Sequence, residues 1–310
     1  MSAMLATFVS FAFLAAVVRI SVPYVLAAVG GSWSERSGVI ALALEGMLLA
    51  GAFAATVAAY ASGSQTIGFL AGAGAGALCA AIYGLLVLRF SADQIVCGVA
   101  INLLADGATR FFLKTGFGSS SNSPRVAAFH SGDAGLYATL THPLVLATIV
   151  TVVLSELALS RTPFGLRVRA VGEHPEAAAS LGVRPLGVRL KAVLLSGALA
   201  GLGGAWLAAD QHQFVAGMSN GRGYIALAAL ILGNWRPGRA ALAGLLFGLA
   251  EAIEITLQAS GLGVPGWAVQ MLPYVLTLVT LAGFIGRARP PQALGRPFLP
   301  DPISDIQKTP

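Results

Sequence analysis

Apolar runs long enough to cross a bilayer recur along the chain, and this repetition constrains the fold more than any single motif does. A helix crosses the hydrocarbon in roughly 20 residues, whereas a barrel strand needs about half that length and alternates in hydropathy. The runs here reach the helical length and do not alternate, as in PLVLATIVTVVL from Pro143 to Leu154. In lipid each run must close its peptide hydrogen bonds within itself, which only a helix does without partners. Charged residues are 10% of the chain and mean hydropathy is +0.78, so the class is an all-α integral membrane protein. Its expected architecture is a polytopic bundle of about 8–10 transmembrane helices.

The spacing predicts spans at about 4–30, 38–61, 66–88, 93–113, 142–160, 190–209, 223–235, 240–258 and 268–286. The first has no basic stretch before it, because Arg19 follows the apolar run, so it reads as a retained span rather than a cleaved signal. It could also be two pieces broken at Pro23. Orientation follows the excess of Lys and Arg on cytoplasmic loops. Placing 161–189 inside also puts Arg36, Arg89, Arg236, Arg287, Arg289, Arg296 and Lys308 inside, and leaves Arg110, Lys114, Arg125 and Arg222 outside. Residues 1–286 then form the membrane domain, with an outer Gly/Ser-rich loop at 114–141 read as flexible surface. Residues 287–310 form a cytoplasmic Pro-rich tail expected to stand apart from the core.

Within 161–189 one segment has its own helical punctuation. Glu173, His174, Pro175, Glu176, Ala177, Ala178, Ala179, Ser180, Leu181 and Gly182 place Pro at a first helical position, acids in the first turn and Gly as the stop. The expectation is a short helix held outside the membrane on the cytoplasmic side. The net charge of +6 sits in loops between spans rather than along one face, so it signals orientation and not nucleic-acid binding. Cys79 and Cys97 lie in apolar segments without metal-ligand spacing.

Glycines four apart, Gly72 with Gly76, Gly197 with Gly201 and Gly244 with Gly248, read as close helix contacts. The run GAGAGA lacks the Lys-Ser/Thr ending of a phosphate loop, and nothing in the chain reads as an ATP-hydrolysing site. Gly217-Met218-Ser219-Asn220-Gly221 matches the serine-hydrolase elbow, with Asp210 and His212 nearby. That elbow joins a strand to a helix at a sheet, whereas here it joins two membrane helices, so turn glycines are the better reading.

Acids at membrane depth are the informative outliers, because insertion scales put a central charge at about 2.5–3.5 kcal/mol. They are Glu45, Asp106, Glu156, Glu251 and Glu254, with Asn102 one helical turn before Asp106. Glu45 and Asn102 are equally readable as lining a polar path or as fixing helix register. Glu35 and Arg36 read either as a local cap and anchor or as a gate. Asn234 and Trp235, in the interrupted stretch Gly233–Gly238, could offer hydrogen bonds and a stacking face to a solute, or simply form a cytoplasmic turn.

Taken in order, several blocks of the chain resemble the membrane-spanning subunits of ABC importers for branched-chain amino acids, simple sugars and nucleosides. The blocks are Glu35-Arg36-Ser37-Gly38-Val39 through Leu44-Glu45-Gly46-Met47, Asp93-Gln94-Ile95-Val96, Gly98 to Leu104, Thr162-Pro163-Phe164-Gly165-Leu166, Arg169 to Glu173, Ser196 to Gly204, Gly221 to Ala228, and Leu272-Pro273-Tyr274. The resemblance extends from about Pro23 to Leu281 and looks closest to the nucleoside (guanosine-type) branch. Ala41, Ala43 and His174 depart from that family's pattern.

The resemblance implies that Glu173 to Gly182 is a coupling helix docking on a cytoplasmic ABC ATPase. It implies that the chain forms half of a translocation path and binds no cofactor itself, ATP and Mg belonging to the ATPase. Further implied partners are a second related permease chain, in a heterodimer, and an extracytoplasmic solute-binding protein, around a multi-pass protein of the bacterial inner membrane with its C-terminus in the cytoplasm. A nucleoside is the first expected solute, a simple sugar or branched-chain amino acid the next. A secondary transporter not driven by ATP is the alternative of another class, and would show an inverted repeat that the sequence does not display.

Overall fold

The computed structural model describes residues 10–126, 136–259 and 288–298, with isolated positions from 268 to 283. The expected span at 268–286 and the stretch 127–135 of the outer loop therefore lie outside the described residues. Among those described, the regular elements are all helical, and one isolated bridge, Asn122 with Val215, is the only strand-like pairing. The helices are α1 (Phe11–Arg36), α2 (Leu44–Ser62), α3 (Gln65–Gly84, extended by a π turn Leu85–Arg89), α4 (Gln94–Phe117), α5 (Leu136–Leu140) and α6 (Pro143–Arg161). They continue with α7 (Pro163–Glu173), α8 (Pro175–Ser180), α9 (Pro185–Gln211), α10 (Arg222–Leu232) and α11 (Pro237–Ala259).

Local chemistry sets these boundaries. The Asp93 carboxylate accepts from the Ile95 and Val96 amides at 2.9 Å, and the Thr162 hydroxyl accepts from Gly165 at 3.1 Å, each capping a helix start. Proline opens α6, α7, α8, α9 and α11, where its missing N–H costs nothing. Pro23 is the exception. It lies inside α1, which runs as one helix instead of the two pieces that were an alternative.

Among the described residues, seven helices are long and apolar enough to cross a membrane: α1, α2, α3 with its π turn, α4, α6, α9 and α11. The span expected at 223–235 is different. Its helix, α10, has 11 residues, which at 1.5 Å per residue reaches about 16 Å, half of a ~30 Å hydrocarbon core. The chain enters it through a non-helical stretch, 212–221, so this passage is a broken span.

At the centre is α9, which packs along α3, α2 and α1, while α11 lies against α1. Small residues allow this approach. A side chain at Gly76 would strike the Gly197 carbonyl, and one at Gly201 would strike that of Gly72. Gly248 likewise lies against Ser21 and Gly244 against Val25, so all three glycine pairs read from the sequence are helix contacts. Leu103, Leu104, Phe111 and Phe112 of α4, and Val150, Val153, Leu154 and Leu157 of α6, stay exposed.

Two expectations about loops change. The start of the outer loop is tied down, with Ser123 donating to the Phe214 carbonyl (2.9 Å) and Val126 to that of His212 (2.8 Å). The segment 288–298 does not stand apart from the core either. Its Arg289, Gln292, Ala293 and Gly295 amides each donate to an earlier part of the chain, and Ala293 is buried. Leu294 and Arg296 close turns within the segment, onto the Pro291 and Ala293 carbonyls, and the remaining amides are what bind it to the bundle.

Candidate functional site

The expected coupling segment resolves into two helices at one end of the bundle. Val168 and Val171 of α7 are fully buried, and Phe164 stacks on Trp33 with ring centroids 5.8 Å apart. These contacts seat α7 and thereby carry α8. In α8 itself Pro175 and Ala178 turn inward, while His174, Glu176, Ala177, Ser180, Leu181 and Gly182 are exposed and Glu173 is half-buried. Leu181 is 84% exposed. Gly182 stops the helix with φ of +82°, a left-handed conformation that suits glycine.

Next to this segment, Glu35, Arg36 and Trp235 form a buried clasp. The Trp235 indole N–H donates to Glu35 Oε2 at 2.6 Å, and Glu35 Oε1 accepts from the Ala41 amide at 3.1 Å. Arg36 Nε donates to the Trp235 carbonyl at 3.0 Å. Glu35 and Trp235 are each 4% exposed. The clasp therefore fastens the end of α1 to the turn between α10 and α11. That turn is strained, since Asn234 and Trp235 have consecutive positive φ values of 52° and 57°. Asn234 Oδ1 accepts from the Arg289 amide at 3.0 Å, and Trp235 offers no open stacking face.

Glu45 and Asn102 meet at the start of α10, from different helices. Glu45 Oε1 accepts from the Gly221 amide (2.8 Å) and Oε2 from Gly223 (2.7 Å), so a carboxylate sits on the positive end of that helix. Asn102, 7% exposed, accepts from the Gly46 amide at 2.8 Å. Its Nδ2 donates to the Leu42 carbonyl (2.9 Å) and to the Tyr224 hydroxyl (3.0 Å). Both residues thus hold α2, α4 and α10 together beside the broken span.

The remaining acids also find partners. Arg222 pairs with Glu251, which also accepts from the Tyr24 hydroxyl at 2.6 Å. Glu156 accepts from the Gly238 amide (3.0 Å) at the start of α11, Asp106 pairs with Arg110 (3.0 Å), and Glu254 accepts from Gln258 (3.1 Å). The hydrolase elbow is not assembled: Asp210 pairs with Arg19 at 3.1 Å, and Ser219 is buried in the turn into α10. Among the described residues no cluster of His, Cys, Asp and Glu could hold a metal ion.

Sequence reasoning missed Arg189. It is 1% exposed, with Nε on the Ser37 carbonyl and one terminal nitrogen on the Arg296 carbonyl, both at 3.0 Å. The available signal was a charge a few residues inside an apolar helix. It also missed Tyr224 and the ion pair of Arg222, because neither partner is near in sequence.

With this geometry in hand, comparison with known proteins gives a consistent picture. The family model described as branched-chain amino acid transport system / permease component matches residues 13–281. The chain is 38% identical to the guanosine ABC transporter permease protein NupQ of Bacillus subtilis, over 89% of this chain and 93% of that one. It is 36% identical to the nucleoside ABC transporter permease protein NupC of Lactococcus lactis, over 89% and 92% of the two chains. A putative glucose ABC transporter permease protein of Haloferax volcanii is 35% identical over 80% and 78%. No solved structure matches the chain.

Proposed function

The chain belongs to the branched-chain amino acid transport system / permease component family, and from that membership we propose that it carries a nucleoside along half of an ATP-driven import path. As a permease of this family it is a transport subunit without an ATPase site, and it works with a separate ATPase and a solute-binding protein. The solute reading rests on the two relatives named for guanosine and nucleosides, each similar over nearly the whole chain. The sugar-permease relative keeps a simple sugar as the second reading.

The observation that carries the coupling role is α8, seated by Pro175 and Ala178 and displaying Glu176, Ala177, Ser180 and Leu181. In our reading the surface from Glu173 to Gly182 takes the ATPase, with ATP and Mg bound there and no cofactor on this chain. This end of the bundle faces the cytoplasm, as the basic residues of 161–189 and the segment after 287 support. A second, different permease chain completes the path, lined from this side by Glu45, Asn102 and Asn234, while Trp235, buried in the clasp and unable to offer a stacking face, belongs with Glu35 and Arg36 to the gate. ATP-driven closure pulls α8, α7 follows because it runs directly into α8, and Phe164 stacked on Trp33 passes the motion to α1 and its clasp at Trp235. Each state of the cycle must differ in its contacts with the partners for the cycle to run.

The test is co-purification of the tagged chain from its native membrane, followed by uptake of labelled guanosine in cells with and without the gene. Recovery of an ATPase and a related permease, with uptake lost on deletion, supports the reading. Uptake of a labelled sugar lost in its place would replace the solute, and a chain that brings down no ATPase even after crosslinking would refute the importer.

A further inference from the structure

Beside the clasp lies a cavity of about 700 Å³ lined by Arg36, Arg236, Arg239, Arg289, Asn234 and Glu173. A smaller one of about 110 Å³ adjoins it, shares Arg36 and Arg236, and adds Arg169 and Glu156. Five guanidinium groups from four separate parts of the chain thus line these two neighbouring cavities together with two carboxylates. Those carboxylates are already engaged, Glu173 by the Gln292 amide at 3.2 Å and Glu156 by Gly238 at 3.0 Å. Among the described residues, none of the five arginines is in an ion pair. A second observation points the same way: Arg169 Nε is buried with no hydrogen-bond partner. A buried donor left unsatisfied costs about 1–3 kcal/mol, so native structures supply one.

We propose that this arginine cleft binds a phosphate group, carried by an anionic lipid headgroup or by a small phosphorylated solute. Guanidinium forks match phosphate oxygens in paired hydrogen bonds, and a phosphate offers enough acceptors to engage several forks at once. The larger cavity falls within the size range of small-molecule sites. The cleft is bounded by the coupling segment (Glu173), the clasp (Arg36) and the 288–298 segment (Arg289, Gln292). An anion held there draws together the three parts that must move against one another, so its occupancy sets how readily they do.

The experiment uses the full chain in nanodiscs, as wild type, as Arg239→Gln/Arg289→Gln, and as an Arg161→Gln control outside the cleft. The two cleft side chains changed are exposed and make no hydrogen bond among the described residues. Binding of radiolabelled inorganic phosphate is measured in phosphatidylcholine discs. Retention of phosphatidylglycerol from mixed discs is measured by native mass spectrometry. Wild type binding phosphate at least about tenfold tighter than the double variant, with the control unchanged, identifies a free phosphate source. Phosphatidylglycerol retained by wild type and the control but lost by the double variant, without phosphate binding, identifies the headgroup. Equal behaviour of wild type and double variant with both probes, or an equal loss in the control, overturns the proposal.

Discussion

Replacing Glu45 by Ala should open the start of α10 while the rest of the bundle holds. The carboxylate accepts two amides, Gly221 at 2.8 Å and Gly223 at 2.7 Å. Hydrogen bonds to a charged group contribute about 1.5–3 kcal/mol each, and a charge at a helix end adds about 0.3–1 kcal/mol. Because Glu45 is half-buried, water replaces part of what is lost, and a net opening cost of about 2–3 kcal/mol remains. At 1.4 kcal/mol per decade, that is roughly 30- to 150-fold faster hydrogen exchange at the first amides of α10. The assay is hydrogen exchange with mass spectrometry on the protein in nanodiscs, following peptides over 219–230 and, as reference, over α9. Gly223→Ala should give the same local opening by another route, since a Cβ there meets the Glu45 backbone. Exchange in α10 of Glu45→Ala within about threefold of wild type would refute the capping argument. It would leave Glu45 available for solute contact alone.

Other outcomes follow from the same geometry. Trp235→Phe removes the only N–H that Glu35 Oε2 accepts at 2.6 Å and should cost about 1–3 kcal/mol, read as an earlier thermal transition in detergent; an unchanged transition counts against the clasp. Gly76→Val drives a branched side chain into the Gly197 carbonyl, so the folded yield on size exclusion should collapse, whereas Gly74→Ala, with open space around it, should be neutral. Glu176→Lys lies on the exposed face of α8 and should weaken ATPase recovery while membrane insertion stays normal; full recovery and transport would remove α8 from the coupling role. Arg189→Leu frees the carbonyls of Ser37 and Arg296 and should speed hydrogen exchange at the Ala293 and Gly295 amides, with exchange equal to wild type showing that the segment is not held there.

The sequence makes legible what repeats at short range. Apolar runs and prolines at first helical positions place α3, α4, α6, α9 and α11 within a few residues and α1 and α2 less closely, and Gly72, Gly76, Gly197 and Gly201 mark a tight contact. The exposed turn of α8 is also readable, because Pro175 and Gly182 lie close to each other in the chain. Long-range polar partners are not readable. Glu35 finds Trp235 and Glu45 finds Gly221 at separations of 200 and 176 residues, and no local pattern encodes such pairs. Glu45 shows the limit clearly: a lone membrane acid signals that a partner exists, and only geometry says that the partner is a helix end. The 288–298 segment misled for the opposite reason, since a polar, Pro-rich composition is blind to backbone amides that bond elsewhere.

That segment also sets an order of events in biogenesis. Its amides at Arg289, Ala293 and Gly295 engage the Asn234 turn, Gly172 at the end of α7 and the Gly38 turn, all made much earlier by the ribosome. The glycine-lined contact of α3 with α9 can form in the membrane once α9 has been inserted, long before translation reaches residue 288. The clasp end cannot be finished until the segment emerges, so a nascent chain stalled after α11 would be inserted yet incomplete where the ATPase is expected to dock. A chain ending before residue 288 would therefore lack the amide contacts that tie the Gly38 turn, the end of α7 and the Asn234 turn to one segment.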